Sequence, residues 1–293
     1  MTTSVIGFAG LGVMGEPICQ NILTKSGAKL YVFDLNSEPV DRLKALGAIP
    51  ADSIAELAAK VDILFLSLPG GPQVEAVIRG PGGVLENARA GLLLVDTSTA
   101  PVSLTRELAG ELAASGVDYA DAPVARTRQA AQDGTLSIMV GASTEIFERV
   151  RPLLAHAATD ITHCGPVGCG QVVKILNNMV LFETVVALSE ALTLGKAAGV
   201  DTTLLFETLS KGSADSFALR NHGMKSMLPG NFPTGAFPTD YALKDVSYAI
   251  DLAALTGFKI PGAELAQARM EKARAAGYQN NYFPALVQVT DKV

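Results

Sequence analysis

The first half of the chain alternates short, almost wholly apolar runs with amphipathic stretches. The runs "SVIGFAG", "KLYVFDL", "DILFLSLP", "GLLLVDTST", "DYADAPV" and "LSIMVGA" have the length and residue types of strands. Between them, "EPICQNILTKSG", "SEPVDRLKALG", "SIAELAAK" and "PVSLTRELAGELAASG" read as helices. Strands that are apolar on both faces and alternate with helices predict a parallel sheet covered on both sides.

The pattern changes near Gly165. From Val172 onward, long helical segments with few β-branched runs take over. "QVVKILNNMVLFETVVALSEALTLGKAAG" is one apolar-rich segment that carries Lys174, Asn177, Asn178, Glu183 and Glu190, too polar a set for a membrane span. Apolar residues on most of its sides predict a long helix buried between other elements. "TTLLFETLSKG", "YALKDVSYAIDLAALTG" and "AELAQARMEKARAAG" continue the helical pattern. The expectation is an α/β domain over residues 1–163 and an all-α domain over 164–293, with a joining helix over about 168–198.

Composition narrows the function. A hydrophobic fraction of 48% supplies an ample core, and a net charge of −6 argues against a broad nucleic-acid surface, which needs clustered Lys and Arg. No run of like charges marks an electrostatic tail. "MTTSVIGFAGLGVMG" lacks a basic flank before its apolar part and reads as a first strand rather than a signal peptide. Cys19, Cys164 and Cys169 do not complete a zinc site and read as reduced thiols, so the expectation is a cytoplasmic protein without a metal.

The opening strand runs into Gly10-x-Gly12-x-x-Gly15 and then a helix. Gly10 permits a tight turn, Gly12 lets the backbone approach a pyrophosphate, and Gly15 lets the helix pack close to the sheet. Leu11, Val13 and Met14 complete the loop, whose backbone N–H groups at the helix start attract phosphate. The second strand ends at Asp34, where a carboxylate accepts hydrogen bonds from adenosine ribose hydroxyls and repels a 2′-phosphate. Together these predict a Rossmann-type dinucleotide-binding domain that prefers NAD(H) over NADP(H). Further strand ends should line the same crevice: Ser67, Leu68 and Pro69 in one, Asp96 to Thr99 in another. Each also reads as a plain turn or helix cap.

"GPVGCGQVVKILNN" sets Lys174 just inside the long helix and Asn178 four residues on, so both project from one helix face. A partly buried lysine is desolvated and suited to proton transfer near neutral pH. A lysine that snorkels to the surface fits the same pattern.

These motifs together resemble the β-hydroxyacid dehydrogenase family, whose members include 3-hydroxyisobutyrate dehydrogenase and tartronate semialdehyde reductase. The resemblance runs through "GFAGLGVMGEPICQNIL", "DTST", "DAPV…GTLSIMVG", "GPVGCGQVVKILNN" and "YALKDVSYAIDLA", nearly the whole chain. It implies hydride transfer between nicotinamide and a 3-hydroxy acid or its semialdehyde, with Lys174 as catalytic lysine. It implies Asn178 at the substrate and Lys244, with Asp245 beside it, near both substrate and nicotinamide. Thr97 and Ser98 fall near the expected ribose and nicotinamide contacts. It also implies a homodimer or homotetramer built through the all-α domain.

The chain departs from that pattern after "DAPV". Most members carry a small Ser-Gly-Gly there to cradle a substrate carboxylate, whereas here the positions are Ala125, Arg126 and Thr127. The triplet is similar to the one in sulfolactaldehyde reductases, where arginine and its neighbours hold a sulfonate. Arg offers five donors in a fixed fork that suits a sulfonate or a bidentate carboxylate. The expected partner is thus a small anionic hydroxy acid or semialdehyde, 3-sulfolactaldehyde being the sharpest reading. Arg126 paired with a nearby acid is the competing one, and Arg128 reads as surface charge. Imine reduction and a non-catalytic dinucleotide-binding module are the alternatives in other classes. The intact Lys174 argues against both.

Overall fold

The computed structural model describes residues 4–290 and divides into two compact units, residues 1–174 and 175–293. Among the described residues of the first unit, nine strands form one sheet. They are β1 Ile6–Ala9, β2 Leu30–Phe33, β3 Ile49–Pro50, β4 Ile63–Leu66, β5 Leu93–Asp96, β6 Asp118–Asp121, β7 Val124–Ala125, β8 Leu136–Gly141 and β9 Ala158–Gly165. Their spatial order is β3-β2-β1-β4-β5-β6-β8-β7, with β9 also on β8. The chain reverses direction across the sheet between β1 and β4, the crossover that places a ligand crevice at the carboxyl ends of those strands.

The helices of this unit are α1 Gly15–Ser26, α2 Ser37–Ala45, α3 Ile54–Lys60, α4 Gly71–Arg79, α5 Val84–Asn87, α6 Val102–Ala114, α7 Arg128–Asp133 and α8 Thr144–Leu154. They cover both faces of the sheet, which is why its central strands are apolar throughout. Phe8, Phe65 and Val95 join Ile18, Ile22 and Phe147 in one core cluster. Leu64 and Leu94, the neighbours of Phe65 and Val95, join Leu57, Leu108 and Leu112 in another. Successive strand residues point to opposite faces, so each strand feeds both cores.

The sheet is not wholly parallel as expected. β8 runs antiparallel to β6 and to β7. β6 and β7 run in the same direction, parted only by Ala122 and Pro123, and the chain turns back after Ala125 through residues 126–135, too short a link for a parallel crossover, so β8 returns antiparallel to both. The predicted strands also omit β9, whose "ATDITHCG" is half polar because it lies at an edge and exposes alternate residues.

The long helix α9 spans Cys169–Ala197, within two residues of expectation. Its start, through Lys174, belongs to the first compact unit and the rest to the second. The second unit adds α10 Thr202–Leu209, α11 Thr239–Thr256, α12 Pro261–Ala273 and a π-helical segment Leu219–Met227. Phe182, Phe206, Val246, Met270 and Phe283 form its core.

Candidate active site

The glycine loop joins β1 to α1. Gly10 has φ +90, and a Cβ there would lie 2.3 Å from the Ser67 carbonyl oxygen. A Cβ at Gly15 would lie 2.1 Å from the Gly10 carbonyl oxygen, so α1 enters against the loop with no side chain between. Gly12 faces open space. No side chain caps α1; the Glu16 N–H turns back onto the Gly12 carbonyl at 3.1 Å and Pro17 has no N–H, so what α1 offers an anion is the positive end of the helix beside the glycine loop. Val13 is exposed, Met14 half-buried and Leu11 buried in the core beneath. The Asp34 carboxylate accepts from the Leu11 N–H at 2.5 Å and from the Asn36 N–H at 2.8 Å, which ties the end of β2 to the loop. These residues fit a dinucleotide: an open glycine, the positive end of a helix and an acid at the ribose position.

The next strand ends lie beside the loop in the sheet. Leu68 is half-buried and Pro69 exposed after β4. The Leu68 N–H donates to Ser98 Oγ at 2.8 Å. Thr97 is buried with its hydroxyl on the Leu66 carbonyl at 2.7 Å, so its side chain braces the sheet. Asp96 accepts from the Ser98 N–H and the Tyr119 hydroxyl, and burial pushes its carboxyl up to about 6.

The first turn of α9 sits on these strand ends. Asp121, fully buried at the end of β6, accepts from the Gly168 N–H at 2.7 Å and the Gln171 N–H at 2.8 Å. Burial pushes Asp121 up to about 6 against those hydrogen bonds. Gln171, also fully buried, accepts from the Ala100 N–H and donates to the Ser98 carbonyl. Lys174 follows three residues later, half-buried, on the Gln171 side of the helix.

In the second unit, Asn178 is buried and donates to Asp245 Oδ2 at 2.7 Å. Lys244 Nζ lies 2.7 Å from Asp245 Oδ1 and over the rings of Tyr241 and Tyr248. The fold thus assembles three of the residues singled out in the sequence, Asn178, Lys244 and Asp245, from two helices.

Comparison with known proteins agrees with this architecture. A family model described as the "NAD binding domain of 6-phosphogluconate dehydrogenase" matches residues 5–165, and "NAD-binding of NADP-dependent 3-hydroxyisobutyrate dehydrogenase" matches 168–290. The 2-(hydroxymethyl)glutarate dehydrogenase of Eubacterium barkeri is 38% identical, over 98% of this chain and 95% of its own. The chain belongs to the 3-hydroxyisobutyrate dehydrogenase-like β-hydroxyacid dehydrogenase family. The 2-hydroxy-3-oxopropionate reductase of Escherichia coli (strain K12) is another relative, 34% identical over 98% of this chain and 97% of its own. The solved 3-hydroxyisobutyrate dehydrogenase of Mycobacterium tuberculosis with L-serine superposes at a TM-score of 0.89, with 31% identity over 98% and 99% of the two chains.

As a β-hydroxyacid dehydrogenase, the protein is an NAD(P)-dependent oxidoreductase acting on a CH–OH group, and the substrates typical of its family are small hydroxy acids. The departure after "DAPV" takes a definite form. Arg126 has φ +89, a left-handed backbone that favours glycine. Its Nη1 donates to the Thr135 carbonyl at 2.6 Å and to Thr159 Oγ1 at 2.9 Å, and its Nη2 pairs with Asp160 at 2.7 Å. The fork expected to face a substrate anion is therefore turned onto β8 and β9, the nearby-acid pairing that the sequence left open. Ala125 pairs with Ser137 in the sheet, and Thr127 Oγ1 accepts from the Ala130 N–H to cap α7. Arg128 is exposed and borders a 370 Å³ cavity with Val13, Glu16, Gln20, Arg42 and Gln132.

Sequence reasoning missed the part played by Gln171 and Asp121. The usable signal was a lone amide, three residues before the lysine, in an otherwise apolar first turn.

Proposed function

We propose that the protein interconverts a short 3-hydroxy acid and its semialdehyde, that the substrate carries an anionic end, and that NAD(H) is preferred over NADP(H). The observation that carries this reading is Lys174, set about one helical turn beyond Gln171, which is bonded to the chain just past β5 and to Asp121 at the end of β6. A dinucleotide with its pyrophosphate at the glycine loop would supply the hydride in reduction and accept it in oxidation. Lys174 Nζ gives a proton to the carbonyl oxygen as it becomes an alkoxide, and takes one from the hydroxyl in reverse. Asn178 and Lys244 hold the substrate, and Lys244 with Asp245 borders the cofactor. Asp34, which would repel a 2′-phosphate, supports the preference for NAD(H).

A sulfonate-ended aldehyde, 3-sulfolactaldehyde, is the sharpest member of this class. The Arg126-Thr127 pair in place of two glycines favours it, because the arginine fork matches tetrahedral oxyanions. In that reading the guanidinium exchanges Asp160 for the substrate. Assembly as a homodimer or homotetramer through the all-α unit is part of the same proposal. It is supported by Val180 and Leu194, apolar residues of α9 that are 56% and 72% exposed, and light scattering tests it.

The test is NADH oxidation with sulfolactaldehyde, methylmalonate semialdehyde, tartronate semialdehyde and succinate semialdehyde, together with the reverse alcohol oxidations. Lys174→Ala should lose about 10²–10⁴-fold in kcat while keeping cofactor affinity. Binding of NADH without turnover of any substrate would leave a non-catalytic dinucleotide-binding module. Turnover of cyclic imines alone would move the chain to imine reduction.

A further inference from the structure

We infer that Asp121 and Gln171 are positioning residues for Lys174, locking the first turn of α9 onto the strand ends and so fixing where the lysine ammonium stands. This rests on Lys174 being the proton donor of the proposed reaction.

A helix start leaves four backbone N–H groups without partners. At the start of α9 the Cys169 N–H turns back onto the Pro166 carbonyl, but a second acceptor comes from far along the chain. Asp121, from β6, takes the N–H groups of Gly168 and Gln171, 47 and 50 residues away. A carboxylate buried this completely is tolerated only where such donors compensate it, and its charge also complements the positive end of the helix.

Gln171 makes the second attachment. Its amide spans the chain just past β5, accepting from the Ala100 N–H at 3.2 Å and donating to the Ser98 carbonyl at 2.8 Å. One helical turn is thus bonded at two adjacent strand ends, which stops rotation about either attachment alone.

Close packing removes the remaining freedom. A Cβ on Gly170 would lie 2.4 Å from the Met139 carbonyl oxygen and 2.8 Å from Asp121 Oδ2. A Cβ on Gly141 would lie 2.3 Å from Asp121 Oδ1. The turn therefore rests directly on β8 and on the carboxylate. Lys174 lies three residues beyond Gln171 in an unbroken helix, about 4.5 Å further along the axis. Its backbone inherits the position of the turn, leaving only its own rotamers to place the ammonium.

The test compares Asp121→Asn, Gln171→Ala, Lys174→Ala and the two doubles that carry Lys174→Ala. The measurements are kcat, substrate KM, NADH affinity by fluorescence titration, and the isotope effect of C4-deuterated NADH on kcat. Asp121→Asn and Gln171→Ala should each lower kcat by about 10²-fold, the scale of an ångström's misplacement, with NADH affinity unchanged. The isotope effect should rise as chemistry becomes the slow step. Neither change should lower the residual kcat of Lys174→Ala further, because a residue acting through the lysine has nothing left to position.

Wild-type kcat in both single variants overturns the inference. So does a fall on the Lys174→Ala background as large as on wild type, which would mark a general structural role. Gln171→Ala leaves the buried carboxylate and its acceptor atoms intact, so it carries the test should Asp121→Asn fail to fold. Near-normal turnover in Lys174→Ala instead overturns the proposed role of the lysine. A dead Lys174→Ala beside normal Asp121→Asn and Gln171→Ala overturns the positioning alone.

Discussion

The Asp245 carboxylate is shared by Asn178 and Lys244: one oxygen accepts the asparagine N–H at 2.7 Å, and the other lies 2.7 Å from the lysine ammonium. Asp245 is 3% exposed, so the two side chains proposed to hold the substrate are oriented by a single buried acid. Asp245→Ala strands the Asn178 amide and releases the lysine. The expected result is a raised substrate KM together with a stability loss of about 1–3 kcal/mol, the cost of an unpaired buried donor. Asp245→Asn retains an acceptor for Asn178 and should fall between. Steady-state kinetics and urea denaturation of the two variants check the order.

The Arg126 fork and its tie to Asp160 separate two roles for the arginine. If the fork leaves Asp160 to hold the substrate anion, Asp160→Ala lowers KM and Arg126→Ala raises it by roughly ten- to a hundred-fold. That opposition is the expected outcome. A parallel rise in both variants would make the pair a structural tie for the β7–α7 turn.

Backbone strain at Arg126 gives a separate readout. A non-glycine residue in the left-handed region costs about 1–2 kcal/mol. Arg126→Gly should therefore be more stable than Arg126→Ala by about that amount in urea denaturation, although both lose the same side-chain bonds. Equal stabilities would show that the turn abandons φ +89 once the fork is gone.

Asp34 braces the Leu11 N–H, and in the proposed function its carboxylate also repels a 2′-phosphate. Wild type should show a much lower KM for NADH than for NADPH. Asp34→Ala should raise the NADH KM at least ten-fold, since hydrogen bonds to a charged group contribute about 1.5–3 kcal/mol. Its NADPH KM should change less, so the preference narrows. Side-by-side kinetics with the two cofactors decide it.

His222 makes the second unit sensitive to acid. Its Nδ1 meets the Tyr282 hydroxyl, its buried Nε2 has no partner among the described residues, and burial pulls its pKa down to about 4. The unfolded chain takes up this proton near pH 6.5 and the folded chain only near 4, so stability is lost as pH falls through that window. The full loss is about 3 kcal/mol. Asp96 and Asp121, raised to about 6, act in the opposite sense, gaining stability as pH falls below 6. His222→Gln isolates the histidine: the stability gap between wild type and variant should shift in favour of the variant from pH 7 to pH 4.5. A gap independent of pH would mean that the histidine is not held neutral by the fold.

Local sequence decided the dinucleotide half of the site. Strand, Gly10-x-Gly12-x-x-Gly15, helix and Asp34 lie within one βαβ unit, where turn sterics and strand length leave few alternatives, and the bounds of α9 follow from its own apolar content. The rest depended on contacts between distant segments. Arg126 could meet a substrate or Asp160, and only the placement of β9 beside β8 brings that acid within reach. Asp121 reads in the sequence as an ordinary strand end, and Gln171 as a polar interruption in an apolar helix. Folding brings them together 50 residues apart. Periodicity and propensity report which face of an element is buried, because burial acts on every residue of the element alike. They carry no information about which buried acceptor meets which donor across the sheet. That pairing is set by tertiary packing, and with it the place of the lysine proposed to transfer the proton.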